Sequence, residues 1–166
     1  LSTRHALDEA ALEAAGVTIG KVQVSSALHI DNPADDAACT DLMGFAEPRF
    51  LHQVVAKTSE GLLKAVDLNA LDLEDMAWRS ADAWRCHFHV PIWWAGAGHL
   101  GTTKGDWQAA VRAAKRLAVQ PHLEIETYTW DVIPKAQKDA LAGGDLTNSI
   151  ALEFSALEML MEGMGI

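Results

Sequence analysis

Two short segments of this sequence alternate apolar and polar residues, and helix-forming segments accompany both of them. The segment 17–28 places Val22 and Val24 on one face, and the segment 123–129 alternates apolar residues with glutamates. A period of two residues is typical of β-strands, because successive side chains point to opposite faces of a sheet. Helices alternating with strands indicate consecutive βα units of a parallel α/β fold. Two strands cannot close a sheet alone, so we expect only part of such a fold here.

Helix-forming residues occupy three further segments. Strong helix formers extend from residue 3 to residue 15, and Gly16 follows as a stop signal. Further helices are expected over residues 106–118 and 147–161, the last of them with one apolar stripe along its length. This stripe contains Ile150, Phe154, Leu157 and Met161.

The segment between the two strands has the pattern of a hairpin followed by a helix. Residues 51–58 and 62–68 are β-prone and flank a turn in which Gly61 can adopt a positive φ. A helix is expected over residues 73–84, with Asp72 as its N-cap. We therefore interpret residues from about 45 to about 84 as an insertion between βα units.

The charge balance excludes some classes of partner. Thirteen Lys and Arg residues stand against 23 Asp and Glu residues, for a net charge of −10, and no basic block occurs. We therefore expect no nucleic-acid partner, since affinity for nucleic acids depends on neutralising phosphates. The longest uncharged stretch, 90–103, is interrupted by Pro91 and is too short to span a membrane.

The two cysteines, Cys39 and Cys86, indicate free thiols and a cytoplasmic protein, because disulfides are rare in that compartment. The sequence begins with Leu1 rather than Met. We therefore expect that it starts after processing or inside a longer protein, and this expectation leaves a signal peptide open.

The segment 86–91 is the strongest candidate for a metal site. In an extended segment, His87 and His89 project to the same side and could bind one ion or two neighbouring ions. The alternative, weighted about equally, is that one or both histidines are hydrogen-bonded core or loop residues.

Glu124 and Glu126 share the polar face of the second strand and are the candidate catalytic residues. A carboxylate that points into a barrel needs a cation or hydrogen-bond donors, because burying an unpaired charge is costly. The alternative is an edge strand with a solvated acidic face. Glu126 together with His87 and His89 would favour zinc or manganese over calcium or magnesium, which prefer oxygen ligands.

Four further residues are candidates for contact with a small-molecule metabolite. Gln23 and Ser25 lie on the polar face of the first strand, where they would face a ligand or else bond to neighbouring strands. Trp93 lies just after the histidine segment and Tyr128 lies within the second strand segment, and aromatic side chains commonly line small-molecule pockets.

Three sequence blocks, 21–28, 86–93 and 123–131, resemble successive blocks of the metabolite traffic protein EboE family in order and spacing. They are Lys-Val-Gln-Val-Ser-Ser-Ala-Leu, Cys-His-Phe-His-Val-Pro-Ile-Trp and Leu-Glu-Ile-Glu-Thr-Tyr-Thr-Trp-Asp. The resemblance implies that residues 1–166 are the C-terminal part of a single xylose-isomerase-like TIM (β/α)₈ barrel with a β-hairpin insertion. The N-terminal strands of the barrel would then lie ahead of this segment.

The resemblance also implies roles for individual residues. The family is similar to sugar phosphate isomerases, epimerases and endonuclease-IV-like barrels, which bind divalent metal at the C-terminal ends of their strands. Glu126 would occupy the ligand position of the last strand, and His87 and His89 the loop that carries an Asp-x-His ligand pair in endonuclease-IV-like barrels. Gln23 stands where many relatives have a metal-binding histidine, which weakens the expectation of a standard metal site.

Three functions follow as hypotheses. The first is a metal-dependent isomerase or epimerase acting on a small metabolite such as a sugar or polyol. The second is a barrel that binds a metabolite without turnover and works with the partner proteins of a metabolite-traffic pathway. The third, an endonuclease-IV-like hydrolase, is the weakest because the chain is acidic.

Overall fold

The computed structural model describes residues 9–126 and 128–165, which form a mixed α/β fold. Its helices are α1 (Glu9–Ala14), α2 (Asp36–Met43), α3 (Met76–Arg79), α4 (Lys104–Ala114), α5 (Lys135–Ala140) and α6 (Leu146–Glu162). Its strands are β1 (Lys21–Val24), β2 (Ser26–Ile30), β3 (Val54–Thr58), β4 (Gly61–Ala65), β5 (Ala83–Val90), β6 (Gly96–Ala97), β7 (Leu100–Thr102) and β8 (His122–Ile125). None of the described helices is long and apolar enough to cross a membrane.

The larger of two sheets is antiparallel and has six strands in the order β4-β3-β5-β2-β7-β6. Alternation along β5 buries Trp84, Cys86 and Phe88 on one face of this sheet. Leu28 and Ile30 of β2 are fully buried on the same side and belong to the same core, which α2 also helps to form. The opposite face of β5 therefore carries the odd-numbered residues, His87 and His89 among them.

The smaller sheet pairs β1 with β8 in parallel, with Val22 opposite Leu123 and Val24 opposite Ile125. The parallel pairing of these two segments, expected from their alternation, is confirmed. Its apolar face packs into a second core to which α4 and α6 contribute. The buried members of that core are Val24, Ile92, Trp107, Val111, Leu157 and Leu160.

The first strand does not run continuously from residue 17 to residue 28, as the sequence predicted. It divides at Ser25, and the following residues, Ser26–Ile30, join the six-stranded sheet instead. Buried residues continue at even positions through the division, from Val24 through Ser26 to Leu28, so the two-residue period gives no sign of the change of sheet. The described residues accordingly form no closed barrel, and β1–β8 is their only parallel pair.

The predicted hairpin is confirmed as β3 and β4, joined by the turn Ser59-Glu60, and Gly61 has a φ of 143°. β3 also pairs with β5, so the hairpin forms one end of the six-stranded sheet. The helix expected over 73–84 was too long. Only α3 forms: it begins after Asp75, which is its N-cap in place of the predicted Asp72, and Trp84 is taken into β5, where it is buried.

The two terminal helices match their expected positions only in part. The predicted end of the first helix is confirmed, since α1 stops at Ala14 and Gly16 has a φ of 67°, whereas residues 3–8 lie outside the described range. α6 confirms the last helix, but its buried side differs from the predicted stripe: Phe154 is 53% exposed. The buried residues are Ser149, Glu153, Leu157 and Leu160.

Candidate metal and ligand site

The imidazoles of His87 and His89 meet on the outer face of β5. Their Nε2 atoms are 2.8 Å apart and their ring centroids 4.9 Å apart, so the predicted same-side arrangement is confirmed. The pairing of β5 with β2 changes register here: Ala27 lies opposite His89 and Leu28 opposite Cys86. Such a bulge aims side chains differently from a regular ladder and is common beside functional sites.

Each imidazole has an oxygen near its other ring nitrogen. His87 Nδ1 is 3.0 Å from Gln53 Oε1, and the His87 amide donates to the Gln53 carbonyl at 2.8 Å. His89 Nδ1 is 3.6 Å from Glu126 Oε2, just beyond hydrogen-bonding distance. An oxygen acceptor at one nitrogen is the usual partner of a histidine whose other nitrogen binds a metal. The two Nε2 atoms, which contact each other here, are thus the nitrogens that would face a bound ion.

Burial holds both imidazoles in their neutral form at neutral pH. It lowers the pKa of His89 to about 4, with a further contribution from the neighbouring His87. Burial also lowers the pKa of His87, against the opposing effect of Glu126. In the 2.8 Å contact, one neutral ring must donate from Nε2 and the other accept. The neutral imidazole is also the form that binds metal ions.

The histidine pair fits two adjacent ligands of a tetrahedral ion after a small separation of the rings. Zn–N bonds of about 2.0–2.1 Å at a tetrahedral angle separate two nitrogens by about 3.3 Å, compared with the 2.8 Å observed. Glu126 approaches the opposite nitrogen of His89, a position suited to orienting that ring. In the described ranges, no three His, Cys, Asp or Glu residues converge to hold an ion. The expected set of His87, His89 and Glu126 therefore supplies two convergent nitrogens and one outer carboxylate.

The segment after β8 covers His89. The Tyr128 ring packs edge-on against His89, with centroids 4.8 Å apart, and against Phe50 at 5.4 Å. The Thr129 hydroxyl donates to the carbonyl of His89. Burial, with the nearby Glu126 charge, raises the pKa of Tyr128. Tyr128 is thus one wall of the site, and about half of its surface remains open to a ligand.

Three other predicted site residues lie in different surroundings. Glu124 forms an exposed ion pair with Lys21 at 2.6 Å, and the hydrogen bond from Lys21 lowers the pKa of Glu124. Gln23 lies opposite Glu124 in the small sheet and is exposed. Ser25 is half-buried at the point where the chain changes sheets. This face of the small sheet matches the alternative of a strand with a solvated acidic face, because the Glu124–Lys21 ion pair is exposed to solvent.

Trp93 contributes to packing beside the site. Its ring is half-buried against the main core, and its carbonyl accepts a hydrogen bond from Lys104 Nζ at 2.8 Å. The Trp93 indole nitrogen is buried and has no hydrogen-bond partner among the described residues. No described contact joins its ring to the histidine pair.

Two supporting residues, His52 and Gln53, have no distinguishing sequence pattern. His52 is fully buried, and its ring lies 4.6 Å from that of Phe88. Its Nε2 is 2.8 Å from Glu47 Oε1, and its Nδ1 is 3.3 Å from the His87 carbonyl. Burial alone would raise the pKa of Glu47, but hydrogen bonds that include the one to His52 lower it. A Glu47–His52 pair thus supports the backbone of His87 from the core side.

An open cavity of about 530 Å³ adjoins His87 on the outer face of the hairpin. It is lined by Gln53, Val54, Val55, Lys64, Ala65, Val66 and His87.

Comparison of the chain with protein-family models, with curated proteins and with solved structures finds no match in any of the three. The function must therefore be argued from the histidine pair and this cavity.

Proposed function

We propose that His87 and His89 bind one divalent ion, zinc or manganese, beside the binding site of a small metabolite. The supporting observation is the convergence of their Nε2 atoms at 2.8 Å while the Nδ1 atoms face Gln53 and Glu126. Burial keeps both rings neutral, and therefore able to bind an ion. Further ligands would be water, the metabolite or residues outside the described ranges.

We further propose that the chain belongs to a metabolite traffic protein of the EboE kind, as the resemblance of its sequence blocks implies. In that proposal, the described units belong to a longer xylose-isomerase-like barrel that acts with partner proteins. A cytoplasmic location is part of the same proposal. It is supported by two buried cysteines that are both free thiols.

The chemistry proposed for the site is isomerisation or epimerisation of a small metabolite. A divalent ion held there would polarise a carbonyl or hydroxyl group. We propose Glu126, 31% exposed and close to His89, as the carboxylate that accepts or returns a proton. Gln53 and Glu126 would orient the two imidazoles, while Tyr128 limits access of water from one side.

Metabolite binding without turnover is the second candidate, and one observation favours it. Two carboxylates were predicted for acid–base chemistry, but Glu124 is engaged by Lys21 in solvent. Glu126 would then work without a second carboxylate from its own strand. An endonuclease-like activity has less support, because the net charge of −10 opposes binding to nucleic acid.

Metal binding can be measured on the complete gene product after treatment with EDTA. Zinc or manganese is added, excess ion is removed, and bound metal is quantified by mass spectrometry. We expect one ion per chain, and loss of most of it in His87→Ala and in His89→Ala. The matched control is His99→Ala, which removes an exposed histidine paired with Asp41 and should retain the ion.

The two outer residues separate a ligand from an orienting role. Glu126→Gln and Gln53→Ala should weaken affinity by about 10- to 100-fold, the usual effect of losing an orienting partner. If Glu126→Gln instead abolishes binding as fully as His89→Ala, Glu126 is a direct ligand. Full metal retention in both histidine variants, with folding verified by circular dichroism, would refute the proposed site. A metal-free wild type would refute it as well.

A further inference from the structure

The cavity beside His87 lies on the outer face of β3 and β4. In the ladders, Val55 of β3 lies opposite Lys64 of β4 and Arg85 of β5, so these three side chains share one face. Gln53 and His87 border the cavity toward the histidine pair. A volume of about 530 Å³ is within the range of sites that bind small organic molecules.

Lys64 is the one cation of this cavity, and the described residues give it no counter-ion. Two other cations on the same sheet face are paired: Lys57 with Asp82 at 3.6 Å and Arg85 with Asp106 at 2.7 Å. Lys64 forms no ion pair with any residue in the described part of the chain. In a chain with ten more acidic than basic residues, a cation left unpaired beside an apolar wall is available to an anion.

The wall itself is apolar and open. Val66 is 73% exposed, although valine is usually buried, and Val55 is half-buried beside it. A ligand with an apolar body would remove this surface from water, at about 25 cal/mol per Å² of apolar area. An apolar wall with a cation at one point and an imidazole at the other end suits a molecule with an apolar body and an anionic group.

We propose that the groove between Val66, Lys64 and His87 binds an anionic amphipathic small molecule, with its apolar body on β3 and β4 and its carboxylate, sulfonate or phosphate at Lys64. The proposal deepens the proposed function by giving the chemical class of the metabolite, and it rests on that function only for the role of the neighbouring histidines. Anion binding at Lys64 requires no metal ion.

The test uses two fluorescent probes of matched shape on EDTA-treated complete protein. The probe 8-anilinonaphthalene-1-sulfonate carries an anionic group, and N-phenyl-1-naphthylamine has the same rings without it. We expect Lys64→Gln to weaken the sulfonate probe by about three- to five-fold, in keeping with an exposed ion pair, and to leave the neutral probe unchanged. Lys64→Arg should retain the affinity for both.

Two further variants separate groove binding from general binding. Lys57→Gln removes a cation from the same sheet face outside the groove and should change neither probe. Val66→Ser should weaken both probes, because it removes apolar wall. Equal binding of the sulfonate probe by wild type, Lys64→Gln and Val66→Ser, all with native circular dichroism, overturns the proposal. If the probes behave as expected but the protein binds no metal ion, the proposed metal site is refuted and the proposed anion-binding groove stands.

Discussion

Glu153 tests which side of α6 faces the core. Its side chain is fully buried, and Oε2 accepts a hydrogen bond from the Ile92 amide at 3.1 Å. The carbonyl of Ile92 accepts from Trp107 Nε1 at 3.0 Å. Side chains of both α4 and α6 therefore hydrogen-bond to the backbone of Ile92, which follows β5 and Pro91. The predicted apolar stripe would instead have buried Phe154, which is 53% exposed.

The structure predicts a large loss of stability for one substitution and a small loss for its neighbour. A protein hydrogen bond contributes about 0.5–1.5 kcal/mol, and an unsatisfied buried amide costs about 1–3 kcal/mol. Met at position 153 would recover part of this loss, because it buries no polar group. We therefore expect Glu153→Met to lower the free energy of unfolding by about 2 kcal/mol, and Glu153→Gln, which keeps an acceptor, by about half as much. Phe154→Ala should cost less than about 0.5 kcal/mol, since the ring is already largely in water and Ala favours helices.

Urea unfolding followed by tryptophan fluorescence measures these differences, with circular dichroism as the second probe. The slope against urea must stay constant for the midpoints to report stability. If Phe154→Ala costs more than Glu153→Met, α6 is rotated toward the apolar stripe and the buried role of Glu153 is wrong.

Three further predictions concern single groups. Burial raises the pKa of Cys86 to about 12. At pH 8 its thiolate is therefore about 1,000-fold scarcer than that of a thiol with the ordinary pKa of 9.0. We expect iodoacetamide to alkylate Cys86 slowly in the native protein, and rapid alkylation would contradict this. The hydrogen bond with Asp41 raises the pKa of His99, so the pair stabilises the fold below about pH 6.5 and loses that effect as pH rises through the raised pKa. Asp41→Asn should lower this pKa in an NMR titration, and an unchanged value would rule the pair out. Gly96 has a φ of 108°, and a Cβ there would lie 2.0 Å from the Leu100 carbonyl oxygen. Gly96→Ala should therefore lower the free energy of unfolding by at least about 1–3 kcal/mol. Thermal unfolding measures this, and an unchanged midpoint would show that the turn opens to accept the methyl group.

Local patterns predicted the elements whose signals are local. The parallel partners β1 and β8 follow from alternation within four residues each, and the β3–β4 hairpin follows from a turn that ends at Gly61. In both cases the apolar side chains that form the pattern are also the ones that pack into a core: Val22 and Val24 for the parallel pair, and Val54 and Ala56 for the hairpin. The last helix was likewise located to within about a residue at each end.

Long-range pairing decided the features that were predicted incorrectly. The change of sheet at Ser25 leaves the alternation of buried residues intact, because Val24 before it and Leu28 after it both enter a core at even positions. The face of α6 was chosen by hydrophobicity alone. Hydrophobicity alone would place Glu153 on the exposed face. Its burial depends on a hydrogen bond from Ile92, which is 61 residues away in the sequence.

The same division applies to the candidate site. A two-residue period was enough to place His87 and His89 on one side, because the strand itself fixes that relation. The partners of His87 were not predictable: Gln53 and His52 precede His87 by 34 and 35 residues and sit at no recognisable spacing. Only the pairing of the hairpin with β5 brings them there, so the partners of His87 come from the segment interpreted as an insertion.

Gln53 connects the two proposals physically. Its carbonyl backbone oxygen and its side-chain oxygen both bind His87, and the same residue borders the groove that contains Lys64. A ligand seated against Gln53 would therefore act on the hydrogen bond that orients one of the two proposed metal-binding rings. Because linkage is reciprocal, any preference of an ion for that ring orientation must also alter the affinity of the groove for its ligand. Under both proposals the hairpin would supply the lysine that binds the anion, and Gln53, directly ahead of β3, would supply the amide that orients His87.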